Sequence, residues 1–175
     1  IGRGSRSRLF WGDVCVGTDR MDVMSCIAAI RVDSSEQIGS GHLMRCLTLA
    51  ERLRKDGAEV HFISRDLAGS LHRLVAEHGF ALHLLPQHEA HANLTGYAAW
   101  LTVSQVVDAE ETTAILRQLF PVDRLVVDSY ALDISWEQRM RPLVQEIFVI
   151  DDLANRRHDC DILLDQNFYR AMEHR

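Results

Sequence analysis

From Ser25 onward the chain alternates compact apolar runs with stretches of helical period. Cys26 to Val32 (CIAAIRV) is a continuous apolar run, long enough for a strand buried on both faces. After a short polar loop, Leu43, Cys46, Leu47, Ala50 and Leu53 recur at helical spacing, with Glu51, Arg52, Arg54 and Lys55 on the opposite face. Gly57 is the natural stop for this helix. Glu59 to Ser64 reads as a second strand and Phe80 to Leu85 as a third, closed by Pro86. Between them Ser70 is placed to cap a short helix with Leu71, Leu74 and Val75 inward, ended by Gly79. Residues 87 to about 107 carry little pattern and read as an extended connection with a helical turn around Tyr97 to Leu101. Asp108 to Phe120 reads as a helix with Ile115, Leu116 and Leu119 inward, and Arg124 to Asp128 as a strand. Ser135 and Gln138 have capping-box spacing for a helix through Arg141, which Pro142 ends or kinks. EIFVIDD and CDILLDQN supply two last strands. Continuous rather than alternating strands, separated by helices, predict an α/β fold: an open, mainly parallel sheet covered on both faces.

The polar positions add a regularity. Four strand ends carry acids: Asp33, Asp128, the pair Asp151 and Asp152, and Asp165. In an open parallel sheet the carboxyl ends of the strands share one edge, and ligands bind in the crevice there. Any one aspartate is equally at home in a turn or a cap. Four such ends together point to a site along that edge.

The first strand-to-helix loop is the best candidate wall of that site. It reads Gly39-Ser40-Gly41-His42. A dinucleotide fingerprint needs a third glycine where Met44 stands, and a P-loop needs lysine where His42 stands. Both are excluded. Small residues still let backbone approach a ligand, and a helix start offers unpaired N–H groups to an anion. The same helix end disfavours an imidazolium, so a histidine there is suited to act as a base. Spacing alone leaves two readings open: a tight turn with an incidental histidine, or a catalytic one. The other histidines lie in strand, helix, loop or tail patterns, and no His/Cys/acid group has metal-ligand spacing.

Composition narrows the partners. The chain has 175 residues, enough for one domain or one half of a larger enzyme. A net charge of −6 gives no reason to expect nucleic acid or an anionic membrane. No apolar run approaches the roughly 20 residues that span a bilayer. Cys15, Cys26, Cys46 and Cys160 are scattered without a CxxC pair, as expected of reduced thiols in a cytosolic protein. Residues 1–23 are rich in Gly and Arg, have no period and lack a secretory apolar core, and they precede Met24. They read as a leader, an expression remnant or an over-extended reading frame. The domain is expected over residues 24–167.

Three stretches in order, RVDSSEQIGSGHLMRCLTLA, LVVDSYALDISWE and IDDLANRRHDCDILLDQN, resemble the UDP-sugar hydrolases of pseudaminic acid biosynthesis, from about Ile27 to Asn167. Those enzymes release UDP from UDP-2,4-diacetamido-2,4,6-trideoxy-β-L-altropyranose with inversion. The resemblance implies a Rossmann-like N-terminal domain of a GT-B-type two-domain enzyme, cytoplasmic, with no cofactor and no metal. It implies that His42 is the catalytic base and that Tyr130 lies in the active site. Arg31, Asp33 and Arg45 fall on motif positions, and Gly39, Ser40, Gly41, Asp128, Asp151 and Asp152 join them as expected substrate-side residues. Asp33 is expected to accept a hydrogen bond from Arg45 and lock the loop. Family members are about twice as long, so residues 168–175 are expected to begin a linker to a C-terminal domain that binds the nucleotide, and this chain by itself is expected to turn over little substrate. The expected partners are a UDP-sugar and that C-terminal domain, without nucleic acid or membrane. Two alternatives share the loop: a glycosyltransferase half of the same architecture, and a non-catalytic sugar-nucleotide-binding domain.

Overall fold

The computed structural model describes residues 26–89 and 93–167. The readings of 1–23 and 168–175, and Cys15, His91 and His174, lie outside the described residues. Strands β1 (Ile27–Val32), β2 (Glu59–Arg65), β3 (Ala81–Leu85), β4 (Val122–Asp128), β5 (Val144–Ile150) and β6 (Ile162–Leu164) form one sheet. Every pairing is parallel, in the order β3-β2-β1-β4-β5-β6. The parallel sheet is the one expected from the apolar runs, and its doubly wound, Rossmann-like order is the one the resemblance implied.

Both faces of the sheet are covered, which is why its strands read as unbroken apolar runs. Helix α1 (Gly41–Lys55) buries Leu43, Cys46, Leu47 and Ala50 against Ile30, Phe62 and Val126. The short α2 (His72–Glu77) adds Val75 to the same face. On the other face, α3 (Gln105–Leu119) and α4 (Ile134–Met140) pack Leu116, Trp136 and Met140 against Ala29, Leu125 and Ile147. A 3-10 turn at Gly96–Leu101 brings Leu101 into this second cluster.

Helix starts differ from expectation in three places, each for a local polar reason. α2 begins at His72 with Leu71 at its N-cap; the Ser70 hydroxyl pairs with the His72 ring at 3.0 Å instead of capping. α3 begins at Gln105, three residues before Asp108, because the Ser104 side chain caps it from Val107 N at 3.3 Å. α4 is capped by Asp133, which accepts from Ser135 N at 2.8 Å, so Ser135 is a donor to the cap rather than the cap. Pro142 lies in a 3-10 turn, Arg141–Leu143, directly after α4.

The order of strands fixes where a ligand can sit. Its direction reverses between β1 and β4, whose connections run to opposite faces. A crevice opens at the carboxyl ends of those two strands. β1 leads into the Gly39–Gly41 loop and β4 ends on Asp128.

Candidate active site

The loop after β1 is built as a tight turn that hands the chain to α1. The Ser35 carbonyl accepts from Gly39 N at 2.8 Å and its hydroxyl accepts from Ile38 N at 3.0 Å. Gly39 has φ +79°, a conformation that costs glycine little and most residues more. Ser40 is the N-cap of α1, but its side chain makes no capping bond. Gly39, Ser40 and Gly41 are all exposed.

One turn of helix places His42 and Arg45 on the same side, where both meet the end of β4. His42 Nδ1 lies 2.6 Å from Asp128 Oδ1. Arg45 grips the same carboxylate with a planar fork, Nε to Oδ2 at 2.5 Å and Nη2 to Oδ1 at 2.5 Å. Cys46 Sγ adds a weak contact to Oδ2 at 3.4 Å. Asp128 is buried and paired with a guanidinium, so it is an ionised acceptor. A lone pair on His42 Nδ1 at 2.6 Å from it would be repelled, so Nδ1 carries the proton. The Arg45 Nη2 approach to Nδ1 at 3.0 Å is then two donors converging on one oxygen. In the neutral ring this tautomer leaves the lone pair on Nε2, the form a base requires. His42 lines a small pocket with Asp33, Ile38, Trp100, Asp128 and Ser129.

Aromatic rings stand around His42. Tyr130, two residues beyond β4, meets its ring edge to face at 4.6 Å between centroids and 81° between planes. Trp100 is 6.2 Å away and Tyr97 packs against both Trp100 (4.8 Å) and Tyr130 (5.2 Å). The Tyr130 hydroxyl donates to Asp152 Oδ1 at 2.5 Å. Burial and that carboxylate push the phenol up to about 12. Tyr130 therefore stays protonated across the physiological range and acts as a hydrogen-bonding group, not a base. Tyr97 and Trp100 carry no motif and sit in the stretch with the weakest pattern; the helical turn read there was the one available signal.

The remaining expected residues are placed behind this group. Arg31 is fully buried, and its donors go to Asp108 (Nε at 3.3 Å, Nη2 at 2.6 Å) and Asp33 (Nη1 at 2.5 Å). Arg65 joins them, with Nη2 to Asp108 at 2.7 Å and to Glu111 at 2.6 Å. Asp33 Oδ1 also accepts from Arg65 N at 2.7 Å. The expected bond from Arg45 to Asp33 is not formed: Arg45 turns to Asp128, where both fork positions are satisfied at once. Arg31 and Asp33 thus brace the ends of β1 and β2, with only Asp33 reaching the pocket lining. Asp151 Oδ1 lies 2.9 Å from Arg156 Nη1, and its Oδ2 accepts from Ala154 N at 3.2 Å, which shapes the loop after β5. Asp165 Oδ1 accepts from Asn167 N at 2.9 Å. Among the described residues no group of three or more His, Cys, Asp or Glu could hold a metal ion, and no helix is long and apolar enough to cross a membrane.

No protein-family model and no curated protein matches the chain. Solved structures do. Acinetobacter baumannii MurG superposes with a TM-score of 0.51 at 14% identity, over 73% of this chain and 35% of that one. LpCGTa in complex with UDP superposes with a TM-score of 0.52 at 17% identity, over 72% of this chain and 30% of that one. At these identities the likeness is one of fold, and the chain spans about a third of the length of either structure. The chain has a Rossmann-like fold: the parallel sheet is the one its apolar pattern predicted, and the Rossmann-like arrangement is the one the family resemblance implied.

Proposed function

We propose that this chain is the N-terminal, base-bearing domain of a GT-B-type enzyme that hydrolyses a UDP-linked diacetamido-trideoxy-hexose at the anomeric C–O bond. The observation that carries the reading is the His42–Asp128 pair at the point where the strand order reverses. Asp128 fixes the ring with Nε2 unprotonated. A water attacks the anomeric carbon while Nε2 takes its proton, and Asp128 stabilises the imidazolium that forms. The C–O bond breaks with its electron pair passing to UDP. UDP leaves readily, so the second carboxylate of ordinary glycosidases is unnecessary. A single displacement inverts the anomeric centre.

Tyr130 faces the sugar or the attacking water, and Asp152 aims its hydroxyl. Ser35 already occupies the Gly39 N–H. The donors offered to diphosphate or sugar oxygens are therefore those of the first turn of α1, from Gly41 onward, beside the uncommitted Ser40 hydroxyl. Arg45 holds Asp128, and Arg31, Asp33 and Asp151 hold the loops. UDP contacts come from a C-terminal domain across the crevice, in a cytoplasmic enzyme of pseudaminic acid biosynthesis. The same pair would serve a glycosyltransferase by deprotonating a sugar hydroxyl, and the likeness in fold to a structure that holds UDP is compatible with either.

The test is hydrolysis in 18O-labelled water, using the chain together with its C-terminal domain and the UDP-sugar. Label in the hydroxyl of the released sugar, with none in UDP, is expected. Label in UDP would overturn attack at the anomeric carbon, and release of UDP only when an acceptor sugar is added would overturn the hydrolase reading.

A further inference from the structure

The ten-odd residues between β5 and β6 form no helix or strand, yet they are tied to the loop that carries Tyr130. Arg156 makes the central tie. Its Nε donates to the Leu132 carbonyl at 2.8 Å and its Nη2 to the Ser129 carbonyl at 3.0 Å. These carbonyls lie on either side of Tyr130 and Ala131. Nη1 faces Asp151 Oδ1 at 2.9 Å, and the guanidinium carbon sits 5.9 Å from the centre of the Tyr130 ring. Neighbouring ties run the same way: Ile134 N donates to the Arg157 carbonyl at 3.0 Å, and Glu137 accepts from Asp159 N and from His158 Nδ1. Asp151 N in turn donates to the Leu164 carbonyl at 3.0 Å, anchoring the loop to β6.

We propose that Arg156 is a positioning residue, whose guanidinium spans the Ser129–Leu132 turn and sets the Tyr130 ring against His42. A planar fork can hold two carbonyls in fixed relation; an ammonium, a single point of charge, cannot. Asp151 supplies the counter-charge from the end of β5, so the fork is aimed from the sheet itself. Tyr130 then has three constraints: the Arg156 clamp on its backbone, the Asp152 bond on its hydroxyl and the Trp100 and Tyr97 rings on its side. The role in catalysis rests on the hydrolase reading above; the geometric claim does not.

Both parts are tested on the whole chain by NMR of the His42 and Tyr130 ring protons in wild type, Arg156→Lys and Arg156→Ala, with thermal melts as the control for folding. Arg156→Lys keeps stem and charge and loses the second carbonyl, so it should fold and still displace both sets of ring signals, and Arg156→Ala should displace them further. The His61 and His83 signals, from β2 and β3, should stay put. Unmoved His42 and Tyr130 signals in Arg156→Lys would overturn the proposal, even were Arg156→Ala to unfold. In the two-domain enzyme, kcat should fall on the order of 10- to 100-fold in Arg156→Lys while KM changes little, the cost of a misplaced reacting geometry. A wild type with no turnover would defeat the hydrolase reading and leave the ring signals to decide the clamp.

Discussion

Asp128 sets the chemistry that His42 can do, because one buried carboxylate is shared between the ring and Arg45. Asp128→Asn removes the ionised acceptor and allows the amide to present N–H to Nδ1, which favours the wrong tautomer. UDP release should then fall on the order of 10²- to 10⁴-fold, the range of a lost base, as read by a continuous assay of free UDP. Asp152→Asn should bring the Tyr130 phenol down from about 12 toward its ordinary value near 10, visible in the ultraviolet titration of the tyrosines. An unchanged titration would mean that burial alone raises it. The sequence marks His42 by its glycine loop and the acids by their strand ends, while Tyr130 is marked only by the family resemblance. The partner of Arg45 was not legible: Asp33 and Asp128 end adjacent strands, and only the direction in which α1 leaves its loop decides between them. Nor was the depth of Arg31, since an arginine in an apolar strand looks the same whether its head reaches a ligand or a buried acid.

At the scale of elements, α3 holds the sheet through a charge it buries. Asp108 faces Arg31 and Arg65, and the Trp136 indole N–H donates to it at 3.0 Å. Burial raises this carboxyl, but the two guanidinium groups outweigh it and hold it below the usual carboxylate range. A depressed folded-state pKa means stability that is present above the unfolded value, about 3.9, and lost as pH falls below it. Thermal midpoints should therefore drop steeply below about pH 4. Asp108→Asn should cost about 3–5 kcal/mol in urea denaturation at neutral pH, because it strands buried arginines, and should flatten the acid limb. A loss under about 1 kcal/mol would contradict the network's role. The sequence placed Asp108 at the start of a helix, an ordinary position for an acid. Ser104 takes the cap instead, so the helix begins at Gln105 and Asp108 lies buried in its first turn. Strands and the longer helices were legible because apolar period dominates them; helix starts were not, because each is settled by one side-chain hydrogen bond.

For the whole molecule, the strand order does what no single motif can. It brings the loop after β1 and the end of β4, more than eighty residues apart in sequence, within 2.6 Å. On the proposed reading the failed nucleotide fingerprints fit this arrangement, since the first turn of α1 meets only sugar or diphosphate oxygens and the remaining UDP contacts come from a second domain across the crevice. On that account the chain alone releases little or no UDP and gains activity when its C-terminal domain is supplied. Normal turnover by the chain alone would remove the need for that domain. The central claim is that His42 and Asp128 act as one unit on water. It is tested most directly by UDP release from His42→Ala, Asp128→Asn and the double variant in the two-domain enzyme. If the pair is one unit, the double variant is no slower than His42→Ala. Losses that multiply, or a His42→Ala enzyme as fast as wild type, would contradict it.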